Sequence, residues 1–219
     1  FIALRGAPLS GWPAIPACAL AMQQAMLAFA QVVIPSGRTV SLTMKAAVAT
    51  GPARRWVVGD PNIQLMDALA GTVLDELAAA EHQANKGQVI AAPSAVAALG
   101  DQVEISEWRQ DEETRQRFGL VSRLAVEVSA VPWPPPGPDM LSDEIVRPWL
   151  LPAVYERLRS GQGEFLAELR PAVALFLRFG GIDYDHDEAA GVKLDTFIRQ
   201  VQHILARYDG NLLQLTIGD

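Results

Sequence analysis

Few side chains in this sequence combine a reactive type with a meaningful spacing. Asp183, Asp185 and Asp187 alternate as the first three ligands of a calcium-binding loop do. Such a loop needs glycine at its sixth position and glutamate at its twelfth, where this chain has Glu188 and Leu194. We therefore interpret the run as an acidic surface loop.

The rest of the composition excludes several classes of function. The three histidines are far apart and match no metal-ligand spacing, and no phosphate-binding glycine loop is present. The net charge of −7 disfavours nucleic acid and anionic membranes as partners. No apolar run approaches the ~20 residues that cross a bilayer. The single cysteine, Cys18, offers no disulfide and indicates a reducing, cytoplasmic compartment.

Residues 40–82 carry the clearest structural pattern and organise the rest of the chain. Alternating apolar residues predict a strand over 40–48, and a second short strand follows over 54–58 after a turn. Gly59-Asp60-Pro61-Asn62 breaks that strand. From Asp67 onward the apolar spacing becomes helical. The predicted order is strand, turn, strand, loop, helix.

The flanking sequence predicts further helices and strands of both kinds. Helices are predicted over 14–34, 93–99, 153–159 and 193–208, and strands over 1–4, 88–92, 103–105, 120–128, 173–179 and 212–217. The charged run 111–117 reads as a solvated hairpin loop. The proline-rich run 132–138 predicts a semi-rigid linker, with a ligand for an aromatic groove as the alternative.

Several of these stretches together resemble class III nucleotidyl cyclases. The resemblance is carried by Ala49-Thr50-Gly51, by Gly59-Asp60 and by Ala70-Gly71-Thr72-Val73-Leu74-Asp75 in the central stretch. Downstream, 173–179 is similar to the family's first strand, and 213–219 is similar to its second strand, which ends in Gly-Asp. The pattern is most similar to tandem, soluble-adenylyl-cyclase-like proteins, in which a proline-containing linker joins two cyclase domains.

The resemblance implies an α+β fold: a ferredoxin-like cyclase homology domain with a mostly antiparallel sheet and helices packed on one face of it. Residues 1–130 would be the C-terminal part of the first cyclase domain, 131–163 a linker with a short helix, and 164–219 the N-terminal part of the second. The chain would then be a piece from the middle of a larger protein. Strands 1–4 and 212–217 would pair, either within one circularly permuted domain or between two chains of a swapped dimer.

The resemblance also implies positions for metal, base and ribose, and most of them are altered here. Two aspartates of the family bind two metal ions, and they fall on Arg178 and on Asp219. A cation at the first position reverses the charge that a divalent ion needs. The two base-reading positions fall on Gln214, which is neutral, and on Ala68, which cannot form a hydrogen bond.

The family's ribose-orienting Asn and transition-state Arg fall on Asp75 and Ala79, so that pair is lost. By resemblance, the parent protein would convert ATP to cyclic AMP with Mg²⁺ or Mn²⁺, in a pair with another cyclase domain or with itself. The piece itself is expected to be inactive and to bind no metal. The alternative is a non-catalytic pseudo-cyclase that acts as a regulatory or dimerisation module.

Overall fold

The computed structural model describes residues 12–129, 135, 137, 140–163 and 171–217. The chain is α+β, and its described residues form two compact units. The first unit contains the described residues up to 52 and those between 72 and 132. The second contains residues 53–71 and the described residues between 133 and 217. The two-stranded segment 53–71 therefore belongs with the C-terminal part of the chain.

The first unit is a mixed sheet with three helices. Its elements are α1 (Ala14–Met26), β1 (Val32–Val33), β2 (Thr39–Val40), β3 (Ala46–Val48), α2 (Thr72–Gln83), β6 (Val89–Ala91), α3 (Pro93–Leu99), β7 (Val103–Gln110) and β8 (Arg117–Leu124). The main sheet has the order β3-β6-β8-β7; β3 and β6 run parallel, and the other two pairings are antiparallel. β1 and β2 form a separate antiparallel pair.

Helices pack on both faces of this sheet, whereas the resemblance predicted them on one face. Val89 and Ala91 of β6 contact Ala19 of α1 and the α3 residues Ala95 and Leu99 through one buried cluster. The alternate residues of the same strand belong to a second cluster with α2: its members are Ala80, Ala84, Ile90, Ala92 and Phe118. A strand covered on both faces has no polar alternation, and this explains the continuous apolar run at 89–92.

The second unit contains a hairpin and three helices. Its elements are β4 (Arg54–Val58), β5 (Met66–Ala70), α4 (Asp143–Val146), α5 (Pro152–Arg159) and α6 (Ala190–Ala206). β4 and β5 pair antiparallel in continuous register from Arg54 opposite Ala70 to Val58 opposite Met66. A 3₁₀ turn, Arg147–Trp149, lies between α4 and α5. Since only one residue separates β5 from α2, the hairpin is also the covalent connection into the first unit.

Most of the predicted elements are confirmed, with changes at their ends. The predicted strand 40–48 is shorter than expected, because only Ala46–Val48 finds a partner in β6 and Thr39–Val40 pairs with β1. The predicted helix 14–34 ends at Met26 and continues only as a 3₁₀ turn, Leu27–Phe29. The charged loop joins β7 to β8 as predicted. Asp111 fixes this loop by accepting hydrogen bonds from the amides of Glu113 and Thr114, at 3.1 and 2.8 Å.

The helical spacing predicted from Asp67 was wrong for its first turn. Residues Met66–Ala70 form β5, and the helix begins only at Thr72. Ala68 and Ala70 alternate with the more exposed Asp67 and Leu69, so the segment presents one buried face. Cross-strand pairing with β4 outweighs the helix propensity of Ala and Leu, since tertiary context decides such short apolar runs.

Two predicted strands of the second unit are absent, at 173–179 and 212–217. Both segments are described and carry no regular secondary structure. Val173 is 100 % exposed and Phe176 is 94 % exposed. A strand needs a neighbour for its backbone groups. Neither segment has one among the described residues.

Some predictions fall outside the described residues. They are the strand 1–4 with its pairing to 212–217, most of the linker 132–138, and the metal position Asp219, and all of them stay predictions. The predicted domain boundaries at 130 and 163 also stay predictions. Among the described residues, no helix is both long and apolar enough to cross a membrane.

Candidate functional site

The loop of the β4–β5 hairpin, residues 59–65, is a hydrogen-bonded polar feature of the second unit. Gly59 has φ 106, and a Cβ there would lie 2.4 Å from the carbonyl oxygen of Gln64. Only glycine fits such a position without strain. Asp60 Oδ1 accepts hydrogen bonds from the amide and the side-chain nitrogen of Asn62, at 2.9 and 3.1 Å. The Gly-Asp-Pro-Asn sequence therefore folds as the turn it predicts.

Helix α6 packs its apolar face against this hairpin. Leu194 and Ile198, one turn apart on α6, are buried together with Val58 and Ala68 of the two strands. Near the start of the helix, Gly191 allows close approach, because a Cβ there would lie 2.4 Å from the indole nitrogen of Trp56. The helix and the hairpin thus share one apolar core.

A row of polar contacts, which we call the polar seam, continues this packing along the loop. The α6 residues Asp195, Gln202 and His203 contact Gly59, Asp60 and Gln64. The amide of Gly59 donates to Asp195 Oδ1 at 2.8 Å. His203 Nε2 lies 2.7 Å from Asp60 Oδ2.

Gln202 is the centre of the polar seam and is only 2 % exposed. Its Oε1 accepts the amide of Asp60 at 2.8 Å, and its Nε2 donates to the carbonyl oxygen of Gln64 at 2.7 Å. Both ends of the buried amide are therefore satisfied by backbone groups of the loop. A buried side chain that bonds backbone in this way fixes the position of the helix along the loop.

Neighbouring hydrogen-bond donors stabilise the carboxylates of Asp60 and Asp195 in the polar seam. The hydrogen bond from His203, followed by the amide of Asn62, lowers the pKa of the Asp60 carboxyl below its ordinary value. Asp195 is also bonded by Arg199 Nε at 2.7 Å, one turn further along α6. Asp60 therefore remains a carboxylate throughout the neutral range.

The carboxylates of Asp183 and Asp187, in the acidic loop before α6, accept hydrogen bonds from backbone amides of the same loop. Asp183 Oδ1 accepts the amides of Asp185 and His186, at 3.1 and 3.0 Å. Asp187 accepts the amide of Ala189 at 2.8 Å. Within the part of the chain that the structure describes, no three His, Cys, Asp or Glu side chains are grouped as metal ligands. The interpretation of this run as an acidic surface loop stays a prediction.

The positions implied by the resemblance lie in different surroundings. Ala68 is buried in β5, with its methyl group in the apolar core. Arg178 and Gln214 are exposed, and Gln214 Nε2 donates to Thr216 Oγ1 at 3.1 Å. Asp75 is exposed in the first turn of α2 and Ala79 is half-buried one turn later, both in the first unit.

Three of these positions, Ala68, Arg178 and Gln214, lie in or next to one buried apolar cluster. Phe179 and Leu215, the direct neighbours of Arg178 and Gln214, pack on the buried cluster that contains Ala68. This shared packing places the segments 171–179 and 212–217 against α6 and the hairpin, although neither is a strand. The functional roles of these positions stay predictions.

Sequence analysis missed the polar seam, although a signal for it was present. Leu194, Ile198 and Gln202 follow one another at four-residue spacing, so Gln202 continues the apolar stripe of α6. A polar residue in such a stripe needs a buried partner. That partner, the backbone of loop 59–65, lies more than 130 residues away in sequence, and no local pattern identifies it.

Comparison with known proteins gives low similarities to solved structures only. No family model matches the sequence, and no curated protein matches it. The structure of the guanylyl cyclase Cya2 is similar at 18 % identity, with a TM-score of 0.45, over 56 % of this chain and 64 % of that one. The guanylate cyclase domain of RhGC from Catenaria anguillulae, solved in complex with GTP, is similar at 13 % identity, with a TM-score of 0.42, over 56 % and 64 %.

The dimeric guanylyl cyclase domain of a RhoGC fusion protein from the aquatic fungus Blastocladiella emersonii is similar at 14 % identity. Its TM-score is 0.39, over 51 % of this chain and 59 % of that one. The chain thus spans less than two thirds of the length of each of these domains.

Proposed function

We propose that this chain is a joining segment of a class III nucleotidyl cyclase-like protein. It would run from the end of one cyclase homology domain into the start of the next, and its own role would be to dock the two sequence halves. The single observation that carries the proposal is the polar seam. It binds helix α6, from the predicted second half, to the β4–β5 hairpin, from the predicted first half.

The contact has the features of a specific docking site. Val58, Leu194 and Ile198 are almost fully removed from water, which provides the driving force. Gln202 and Asp195 satisfy loop amides that would otherwise be left without partners. The apolar part provides affinity, and the polar part determines the register of the helix against the loop.

The residues at the implied catalytic positions do not fit a divalent metal or a triphosphate. Arg178 is an exposed cation where a carboxylate would bind the metal. Asp75 carries negative charge where a neutral amide would orient the ribose, and it would repel a triphosphate. Ala79 has no group to stabilise transition-state charge. We therefore infer that the segment makes no cyclic nucleotide by itself.

The test is a turnover assay on the chain with ATP or GTP and Mg²⁺ or Mn²⁺, beside an active class III cyclase in the same buffers. We expect no cyclic nucleotide above background. Calorimetric titration with ATP and Mg²⁺ should give no binding tighter than about millimolar, since a few unoptimised contacts supply only ~4 kcal/mol. Sustained formation of cyclic nucleotide that disappears in an Asp75→Ala variant would overturn the proposal.

A second candidate is a pseudo-cyclase, in which the whole protein is a regulatory or dimerisation module. The replacements Arg178, Gln214, Asp75 and Ala79 favour it, because each removes a different part of the chemistry. An assay of the full-length protein separates the two. Cyclic nucleotide formation supports a catalytic parent, in which case Mg²⁺ or Mn²⁺ and ATP are the proposed cofactor and substrate. Its absence supports the pseudo-cyclase.

Pairing with another cyclase homology domain, or with a second copy as a swapped dimer, remains part of this proposal. The exposed apolar side chains of 173–179 and of Leu213 would be covered in such a pair. Sedimentation of the chain across a hundredfold range of protein concentration tests self-pairing. If two copies pair, the dimer fraction should rise with concentration. A cytoplasmic location likewise remains a prediction from the single cysteine.

A further inference from the structure

A cavity of about 410 Å³ lies beside the hairpin loop, on residues that the docking proposal does not use. The loop contributes Pro61 and Asn62 to its wall. The helices after the linker contribute the rest of the lining: Asp143, Glu144, Arg147, Pro148 and Tyr155. A cavity of this volume accommodates a small metabolite.

The wall of this cavity is held together by hydrogen bonds. The amide of Leu65 donates to the carbonyl oxygen of Pro148 at 2.6 Å, which joins the loop to the 3₁₀ turn. The hydroxyl of Tyr155 donates to Asp143 Oδ2 at 3.0 Å, which joins α5 to α4. Tyr155 is buried. The site is therefore formed before any ligand arrives.

The hydrogen bonds of the lining leave two charged groups unused. One Asp143 oxygen is engaged by Tyr155, and the Asn62 nitrogen donates to Asp60. Arg147 lies with its guanidinium carbon 5.9 Å from the centre of the Tyr155 ring, and the described residues give this guanidinium no ion pair or hydrogen bond. The carboxylate of Glu144, one residue beyond Asp143, likewise has no ion pair or hydrogen bond among the described residues.

These free groups define the chemistry of a ligand. A guanidinium binds a carboxylate through two parallel hydrogen bonds. A free carboxylate binds an ammonium group through charge-assisted hydrogen bonds. Two carboxylates beside one guanidinium repel a nucleotide or another polyanion. We propose that this cavity binds a small zwitterion of the α-amino acid class, with Arg147 on its carboxylate and Glu144 on its ammonium group.

Such a ligand would contact the loop that the polar seam holds. Asn62, which lines the cavity, is bonded to Asp60, and Asp60 is bonded to α6. A bound ligand would therefore stabilise the loop together with helices α4 and α5. The docking site would then become more ordered as the ligand concentration rises.

The experiment is calorimetric titration of the full chain with glycine, L-alanine and L-leucine, with acetate and methylamine as the two halves of the ligand. We expect at least one amino acid to bind at least tenfold more tightly than either half. Arg147→Gln and Glu144→Gln should each weaken that binding at least tenfold. Glu156→Gln, an exposed residue of α5 outside the cavity, is the matched control and should leave it unchanged.

A measurement on the unmodified chain provides the second readout. In ¹H–¹⁵N spectra of the wild-type protein, the bound amino acid should shift the side-chain amide of Asn62 and leave that of Gln200 on α6 in place. No saturable binding by any of the three amino acids overturns the proposal. Acetate binding as tightly as the amino acids, or binding that survives both variants, also overturns it.

Discussion

Replacement of Gln202 by leucine is the sharpest perturbation of the docking site. Leucine keeps most of the buried volume and the helix propensity, but it removes the acceptor of the Asp60 amide and the donor to the Gln64 carbonyl. Each backbone group left unpaired in a buried site costs about 1–3 kcal/mol. Apolar contact returns part of that loss, so we expect the free energy of unfolding to fall by about 2–4 kcal/mol.

Urea denaturation measures this change, with tryptophan fluorescence reporting on Trp56 in the same core. The control is Gln200→Leu on the exposed face of α6, which should change stability by less than about 0.5 kcal/mol. Equal effects of the two substitutions would refute the reasoning. So would a Gln202→Leu variant as stable as the wild type, because the hydrogen bonds to the loop would then contribute nothing.

Three further changes test the geometry of the same unit. Gly59→Ala should cost at least about 1 kcal/mol more than Gly37→Ala in urea denaturation, since both have positive φ but only the first meets a carbonyl oxygen. Equal costs would contradict that contact. Gly191→Ala should destabilise by about 1–2 kcal/mol despite the better helix propensity of alanine, because the new methyl group meets an indole ring. A stabilised variant would show that the helix stands further away. Asp60→Asn should lower the melting temperature at pH 7, and the gap to wild type should close below about pH 4, because a lowered carboxyl pKa gives stability that is lost on protonation. A gap that does not narrow as the pH falls below about 4 would contradict the role of the Asp60 carboxylate.

The local sequence pattern was sufficient to predict an element whose stabilising contacts lie nearby in the sequence. The turn at 59–62, the hairpin loop at 111–117 and the helix Pro93–Leu99 follow from residue types whose conformational preference is strong. The strand predicted over 88–92 is confirmed as Val89–Ala91. Helices cover that strand on both faces, and the sequence did not predict this because it depends on the packing of the whole unit.

The sequence pattern predicted the wrong secondary structure where a partner distant in the sequence determines it. The sequence pattern of residues 67–70 predicts a helix. In the structure these residues form a strand instead, because they pair with β4. Residues 173–179 show the reverse case, because an apolar run that predicts a strand has no strand beside it among the described residues. The resemblance gave the implied catalytic positions but gave no sign of the polar seam.

Amide hydrogen exchange at Gly59 and Asp60 tests the central claim, that helix α6 binds the hairpin loop. Both amides lie outside the strands, and each donates to a side chain of α6. We predict that in the wild type both exchange at least about a hundredfold more slowly than in an unstructured peptide. In the Gln202→Leu variant the protection at Asp60 should be lost, while Val58 within β4 keeps its own. Exchange of both wild-type amides at the unstructured rate would contradict the account.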